Sequence, residues 1–281
     1  MTTAFVLSGG ASLGAVQVGM LLGLAEAQIT PDLIIGTSVG AVNGGWVASG
    51  PDVARIEALA DVWRSLSRND VFPTRPILGL MGFLGQRRNL VPDTGLRRLL
   101  SHHLGFSRLQ DAPIPLHVVA TDALSGQDML LSSGDAIDAI VASAAIPAVF
   151  PPVNIDGRDL IDGGVVNNNP LSHAVALGAD RAWVLPTGYS CGLPQLPRGA
   201  LSIALHAVTV AINTHLAVDV ARFEQALDVR VIPPPCPLPV SPADFSHSAR
   251  LIEQSHRETR KWLATRHPGT GQARLLEPHE H

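Results

Sequence analysis

Short apolar runs that end in glycine, each followed by apolar residues at helical spacing, set the tightest limit on how this chain can fold. Ala4-Phe5-Val6-Leu7 runs into Ser8-Gly9-Gly10, and Leu33-Ile34-Ile35 runs into Gly36-Thr37-Ser38-Val39-Gly40. Each run has the length and composition of a buried strand, and each turn opens onto a helical pattern. After the first, Val16, Met20, Leu21 and Leu24 share one helical face; after the second, a helix continues through Trp46 and Ala48. Gly14, Gly19 and Gly23 lie within the first helix, where glycine weakens the helix itself, so they are expected to mark close packing against a sheet. Asp52 to Leu66 is amphipathic, with Asp52 as its cap.

The same alternation continues. Strands are expected at 116–120, at 153–155 and 159–161 as a hairpin around Asp156-Gly157, at 181–185 and at 229–232. Helices are expected at 135–145, 171–177, 201–227 and 246–263. Strands alternating with helices predict an α/β fold whose mostly parallel central sheet is sandwiched between helices. There is no internal repeat. Residues 1–266 read as a single domain and 267–281 as a polar tail.

Composition narrows the function. With 281 residues and 46% hydrophobic content, the chain can bury a large core. A net charge of −4 leaves no basic footprint for nucleic acid and no long-range pull toward anionic lipid. Cys191 and Cys236 form no CxxC pair and are read as two free thiols in a reducing compartment, with one disulfide left open. The uncharged start from Thr2 to Ala25 lacks a basic leader and is broken by glycine, so it is not read as a signal peptide. Gly199 to Val218 is also uncharged, but His206, Asn213, Thr214 and His215 fit a buried helix better than a membrane span. The chain is therefore expected to be soluble and cytoplasmic.

Three stretches carry chemistry. In Gly9-Gly10-Ala11-Ser12-Leu13-Gly14, a glycine-rich turn at a helix start aims backbone N–H groups at an anion. A nucleotide phosphate lacks the Gly-Lys-Ser/Thr it needs, and a dinucleotide lacks an acidic residue after the second strand, which ends at Gly36. An oxyanion formed in acyl transfer is a further reading and a plain structural turn another, and this motif alone gives all of them comparable weight. In Gly36-Thr37-Ser38-Val39-Gly40, the serine sits where a nucleophile elbow requires it, between strand and helix, although a surface turn would look the same. The histidine-dependent α/β-hydrolase order fits poorly, since Ser38 already follows the second strand, and His117 and His173 read as packed or surface residues. Asp162-Gly163-Gly164 ends a strand where open α/β sheets place their sites, and the aspartate offers either a base or an ordinary turn.

Taken together, these stretches resemble the patatin-like phospholipase family, as do Ala142-Ser143-Ala144-Ala145-Ile146-Pro147 with Pro151-Pro152, and Asn169-Pro170. The likeness runs from about Ala4 to Leu263. It implies a patatin-like three-layer architecture and a serine–aspartate dyad. In that dyad Ser38 is the nucleophile and Asp162 accepts its proton with no histidine between. It also implies an oxyanion loop over Gly9, Gly10, Ala11, Ser12 and Gly14 in which the N–H groups of Gly9, Gly10 and Ala11 meet the oxyanion, an elbow flanked by Gly36 and Gly40, and an Asp-Gly-Gly stretch completed by Gly163 and Gly164. No cofactor or metal is needed. One departure stands out: the family carries Lys or Arg just before the loop's last glycine, and this chain carries Leu13, which weakens the case for phospholipid as preferred substrate.

The expected function is serine acyl hydrolysis of lipid esters, as phospholipase A, lysophospholipase or lipid esterase. The alternative is a non-catalytic lipid-binding or scaffold protein on the same fold. The expected partner is the lipid or ester substrate, with peripheral, transient contact with a membrane surface left open and oligomeric state unassigned. Pro76 to Gly85, flanked by Arg75, Arg87 and Arg88, reads either as an apolar lid or acyl channel or as a short buried helix.

Overall fold

The computed structural model describes residues 1–73, 89–188, 203, 214–236, 238 and 240–265. The stretch 76–85, residues 201–202 and 204–213 of the helix expected at 201–227, Cys191 and the tail 267–281 fall outside the described residues; within 201–227, residues 214–223 are helical.

Eight strands form one mixed sheet: β1 (Thr3–Leu7), β2 (Leu33–Thr37), β3 (Leu116–Asp122), β4 (Asp128–Leu131), β5 (Val153–Ile155), β6 (Arg158–Asp162), β7 (Arg181–Leu185) and β8 (Asp228–Val231). The order is β5-β6-β3-β2-β1-β7-β8, with β4 pairing β3 off this path. The pairings β3-β2, β2-β1, β1-β7 and β7-β8 are parallel, while β4, β5 and β6 add antiparallel pairings at one end. The hairpin β5-β6 turns through Asp156 and Gly157, both at positive φ (50° and 79°), the conformation that a two-residue type I′ turn needs.

The strands bury both faces because their side chains alternate between two cores. Phe5, Leu7, Ile34, Leu116, Val118 and Ala120 belong to one core, where the helices α1 (Gly14–Glu26), α2 (Val39–Ala48), α3 (Val53–Ser65), α5 (Thr94–His103), α6 (Ala136–Ser143) and α8 (Ser248–Leu263) pack. Ala4, Val6, Leu33, Ile35 and Val119 face the other core, against α7 (Leu171–Ala176) and the helical stretch 214–223. A short helix, α4 (Arg68–Val71), follows α3. Three layers result. Asp52 caps α3 as expected, its side chain accepting from Arg55 N–H at 2.9 Å.

Two expectations change. The α1 glycines do not meet the sheet: Gly19 and Gly23 meet α8, where a Cβ on Gly19 would lie 2.4 Å from the Ile252 carbonyl oxygen, and Gly14 meets Val39 and Trp63. Helix-on-helix contact, not helix-on-sheet, is what needs the missing side chains. Cys236 is disulfide-bonded, so the reading of two free thiols fails, and with it the redox argument for a reducing compartment. Among the described residues no helix is long and apolar enough to cross a membrane.

Candidate active site

Ser38 is the single residue between β2 and α2, at φ 56° and ψ −124°. A non-glycine residue held there costs about 1–3 kcal/mol, so the surroundings must impose it. The flanking glycines explain how they do. A Cβ on Gly36 would sit 2.6 Å from Ala41 N, and one on Gly40 would sit 2.2 Å from the Leu7 carbonyl oxygen. Only with both side chains absent can α2 start against the end of β1. The Ser38 N–H donates to Ser143 Oγ at 2.8 Å, and that hydroxyl donates to the Val119 carbonyl at 2.6 Å. Ser143 thus fixes the elbow from a neighbouring helix.

Strand β3 aligns the side chains of Ser38 and Asp162. Thr37 pairs with Val119 in parallel, and Asp162 pairs with Ala120 in antiparallel fashion, so the ends of β2 and β6 meet at successive positions of one strand. The outcome is a hydrogen bond from Ser38 Oγ to Asp162 Oδ2 at 2.6 Å, although the two lie 124 positions apart in the chain. Asp162 Oδ1 accepts from Gly164 N–H at 2.7 Å, which is the work of the glycines after it: a Cβ on Gly163 would strike the Val119 carbonyl oxygen at 2.3 Å. Burial pushes the Asp162 carboxyl up to about 6, against the opposing hydrogen bonds from Ser38 and Gly164. That moves the group from a weak base toward one matched to neutral pH.

The glycine-rich turn comes up beside Ser38, where a Cβ on Gly9 would lie 3.1 Å from Ser38 Cβ. Its three expected anion donors divide. Gly9 N–H points to the Asn168 carbonyl at 3.4 Å and is occupied, whereas Gly10 and Ala11 N–H have no acceptor among the described residues. Ala11 takes φ 50°, which turns its amide relative to the helix that follows. Ser12 ties the loop down, with N–H to the Pro242 carbonyl at 2.9 Å and Oγ to the Ser241 carbonyl at 3.2 Å. Gly14 is required for closeness, since a Cβ there would touch Val39 at 2.4 Å. Leu13 lines a different cavity from the one at Ser38, with Gly9, Gly10, Asn168 and Pro242.

The sequence reading missed the polar scaffold beneath this loop. Gln17, fully buried on α1, donates through Nε2 to the carbonyls of Ser8 (2.8 Å) and Leu185 (2.9 Å). Asn43, fully buried on α2, donates to Gln17 Oε1 at 3.0 Å and accepts from Trp63 Nε1 at 3.0 Å. Ser8 Oγ donates to Asn169 Oδ1, and Thr187 Oγ1 donates to the Gly9 carbonyl at 2.7 Å. The available signal was Gln17 itself, a lone amide in the uncharged, otherwise apolar stretch Gly14 to Ala25. His117 pairs with Ser132 and His173 with Asp128, both away from Ser38. Among the described residues no cluster could hold a metal ion.

A cavity lined by Ala11 and Ser38 runs away from the reactive hydroxyl between Val42, Trp63, Phe72 and Phe150. Ser38 aside, its walls are apolar, which suits a hydrocarbon chain attached to a group at Ser38. A hydroxyl on a buried carboxylate, a neighbouring loop whose Gly10 and Ala11 amides have no acceptor among the described residues, and an apolar slot together can bind an acyl ester, attack it and hold the resulting oxyanion.

The family model described as Patatin-like phospholipase matches residues 5–175. An uncharacterized NTE family protein of Mycobacterium tuberculosis is 32% identical over 178 residues, covering 63% of this chain and 46% of that protein. Patatin-like phospholipase domain-containing protein 7 of Rattus norvegicus is 31% identical over 182 residues, 63% of this chain and 13% of the relative. Lysophospholipase nte1 of Aspergillus terreus is 30% identical over 187 residues, 65% and 12% respectively. The chain thus spans less than half the length of these relatives. Among solved structures, VipD from Legionella pneumophila superposes with a TM-score of 0.51 at 15% identity, covering all of this chain and 71% of that one, a likeness of fold.

Proposed function

The chain belongs to the patatin-like phospholipase family, and from that premise we propose that residues 1–266 act as one serine acyl hydrolase unit on lipid esters. Ser38 Oγ attacks the ester carbonyl carbon while Asp162 Oδ2 takes its proton. The oxyanion of the tetrahedral intermediate accepts from Gly10 and Ala11 N–H. Collapse breaks the bond to the alcohol, which leaves with the proton from Asp162. Water then attacks the acyl-serine, Asp162 accepts a proton from that water, and the acid departs with Ser38 Oγ reprotonated. The observation that carries this reading is the 2.6 Å bond between a hydroxyl held at positive φ and a buried carboxylate.

Lipid and simple carboxyl esters without a phosphate are the substrates favoured over phospholipid and lysophospholipid, since Leu13 supplies no cation for a phosphate. Contact with lipid is peripheral in this reading, made where the apolar slot meets an aggregate surface.

Purified protein should hydrolyse a short-chain ester reporter and take a fluorophosphonate label at Ser38. Ser38→Ala should lose the label and lower kcat/KM by at least about 10³-fold, in line with loss of a nucleophile elsewhere. An unlabelled wild-type protein that still binds lipid would instead favour the non-catalytic scaffold reading.

A further inference from the structure

The slot at Ser38 does not end in solid core. A second apolar cavity lies directly behind it, lined by Trp46, Leu59 and Leu104, and the two share Val42, Trp63, Leu66 and Leu99 as a common wall. Trp63 is fixed in that wall by its bond to Asn43. Val42 and Leu66 pack against the main core yet are only partly buried, and Leu99 is partly buried as well; Leu66 and Leu99 also line an open surface pocket with Ser65, Asp70 and Arg98. Leu99 stands one helical step from the buried Leu96 and Leu100 on α5 and reaches both cavities.

We propose that this partition, with Leu99 as its key side chain, sets the acyl chain length accepted at Ser38. The rear cavity is then a latent extension of the acyl subsite. The inference rests on the acyl-hydrolase reading for its chemistry but not for its binding. A chain entering past Ser38 meets no polar group until the wall, so each methylene gains contact up to Leu99 and none beyond it. Removing the wall should extend that gain, at about fourfold in affinity per methylene newly buried.

The test measures kcat/KM for p-nitrophenyl esters of increasing even chain length on wild type, Leu99→Ala and Leu99→Phe. The quantity read is the ratio of long- to short-chain kcat/KM within each protein, which is independent of the fraction folded. Leu99→Ala should move the optimum at least two methylenes longer and raise the ratio about tenfold; Leu99→Phe should move it shorter. In parallel, fatty acids of the same lengths are titrated calorimetrically into each protein on a Ser38→Ala background. Unchanged ratios and unchanged length dependence of binding in both variants would overturn the proposal. No hydrolysis of any ester by wild type, with length-dependent binding that shifts in Leu99→Ala, would remove the hydrolase reading and leave the partition standing.

Discussion

In the proposed mechanism Asp162 is where function and stability pull against each other. Its carboxyl is raised from the ordinary 3.8 to about 6 by burial. The base form is the carboxylate, so kcat/KM for ester hydrolysis should rise tenfold per pH unit up to about pH 6 and level off above it. A rise centred near 4 would mean that the carboxyl is not desolvated in the working enzyme. A carboxyl with a folded pKa above its unfolded one binds more protons in the native state between the two values. The stability it contributes is therefore complete below pH 3.8 and lost as pH rises through 6. At pH 8 the ionised group costs the fold up to about 3 kcal/mol. Asp162→Asn keeps an acceptor for Gly164 N–H and removes the charge, so it should be inactive yet more stable than wild type at pH 8, with the gap closing toward pH 4. Denaturant titrations at the two pH values measure this directly. Ser38 and Asp162 could be picked out as candidates because Gly36 and Gly40 stand either side of the first and Gly163 and Gly164 follow the second. Gln17 and Asn43 were not, and Ser143 was noticed only within the 142–147 stretch without a role, because nothing local to a buried amide or hydroxyl names the distant carbonyl or N–H that satisfies it.

Elements followed the sequence where local chemistry decided them and escaped it where tertiary contact did. The Asp156-Gly157 turn and the Asp52 cap carry their own signals. Strand β4 was missed because its four residues are half-buried at the sheet edge and show no alternation. Helix α5 was missed although Leu96 and Leu100 repeat at helical spacing, for it follows the apolar stretch 76–85 that drew the reading elsewhere. The glycines of α1 were recognised as contact points but given the wrong partner, since spacing on one helix cannot say what lies across from it. That partner is testable. Gly19→Ala would bring a Cβ within 2.7 Å of His256 N as well as 2.4 Å of the Ile252 carbonyl, backbone atoms that cannot rotate away. It should destabilise the protein by about 1–3 kcal/mol, read as a lower urea midpoint. The rate of fluorophosphonate labelling per folded molecule should stay at the wild-type value, because α8 does not line the slot. A neutral substitution would mean that α1 and α8 pack further apart.

At the scale of the molecule, the proposed reactive group has no domain or loop of its own. Ser38 closes β2 near the centre of the sheet, Asp162 closes β6, β3 aligns them, and the anion loop is held by Leu185 at the end of β7 through Gln17 and by residues 241–242 before α8. Pieces from both ends of the chain must therefore be in place at once for the hydroxyl, carboxylate and amides to meet. A site built this way cannot melt before the sheet does, unlike a site on a peripheral loop that opens locally at low free-energy cost. Fluorophosphonate labelling, followed across a urea series with short pulses, should fall with the same midpoint and slope as the far-ultraviolet circular dichroism of the whole chain. Labelling lost at clearly lower urea would show that part of the constellation belongs to a separately unfolding unit. The segment to implicate would then be 163–170, which carries Asn168 and Asn169 against the loop while lying outside every strand. Tightening that segment, and not the sheet, would be the way to restore coincidence.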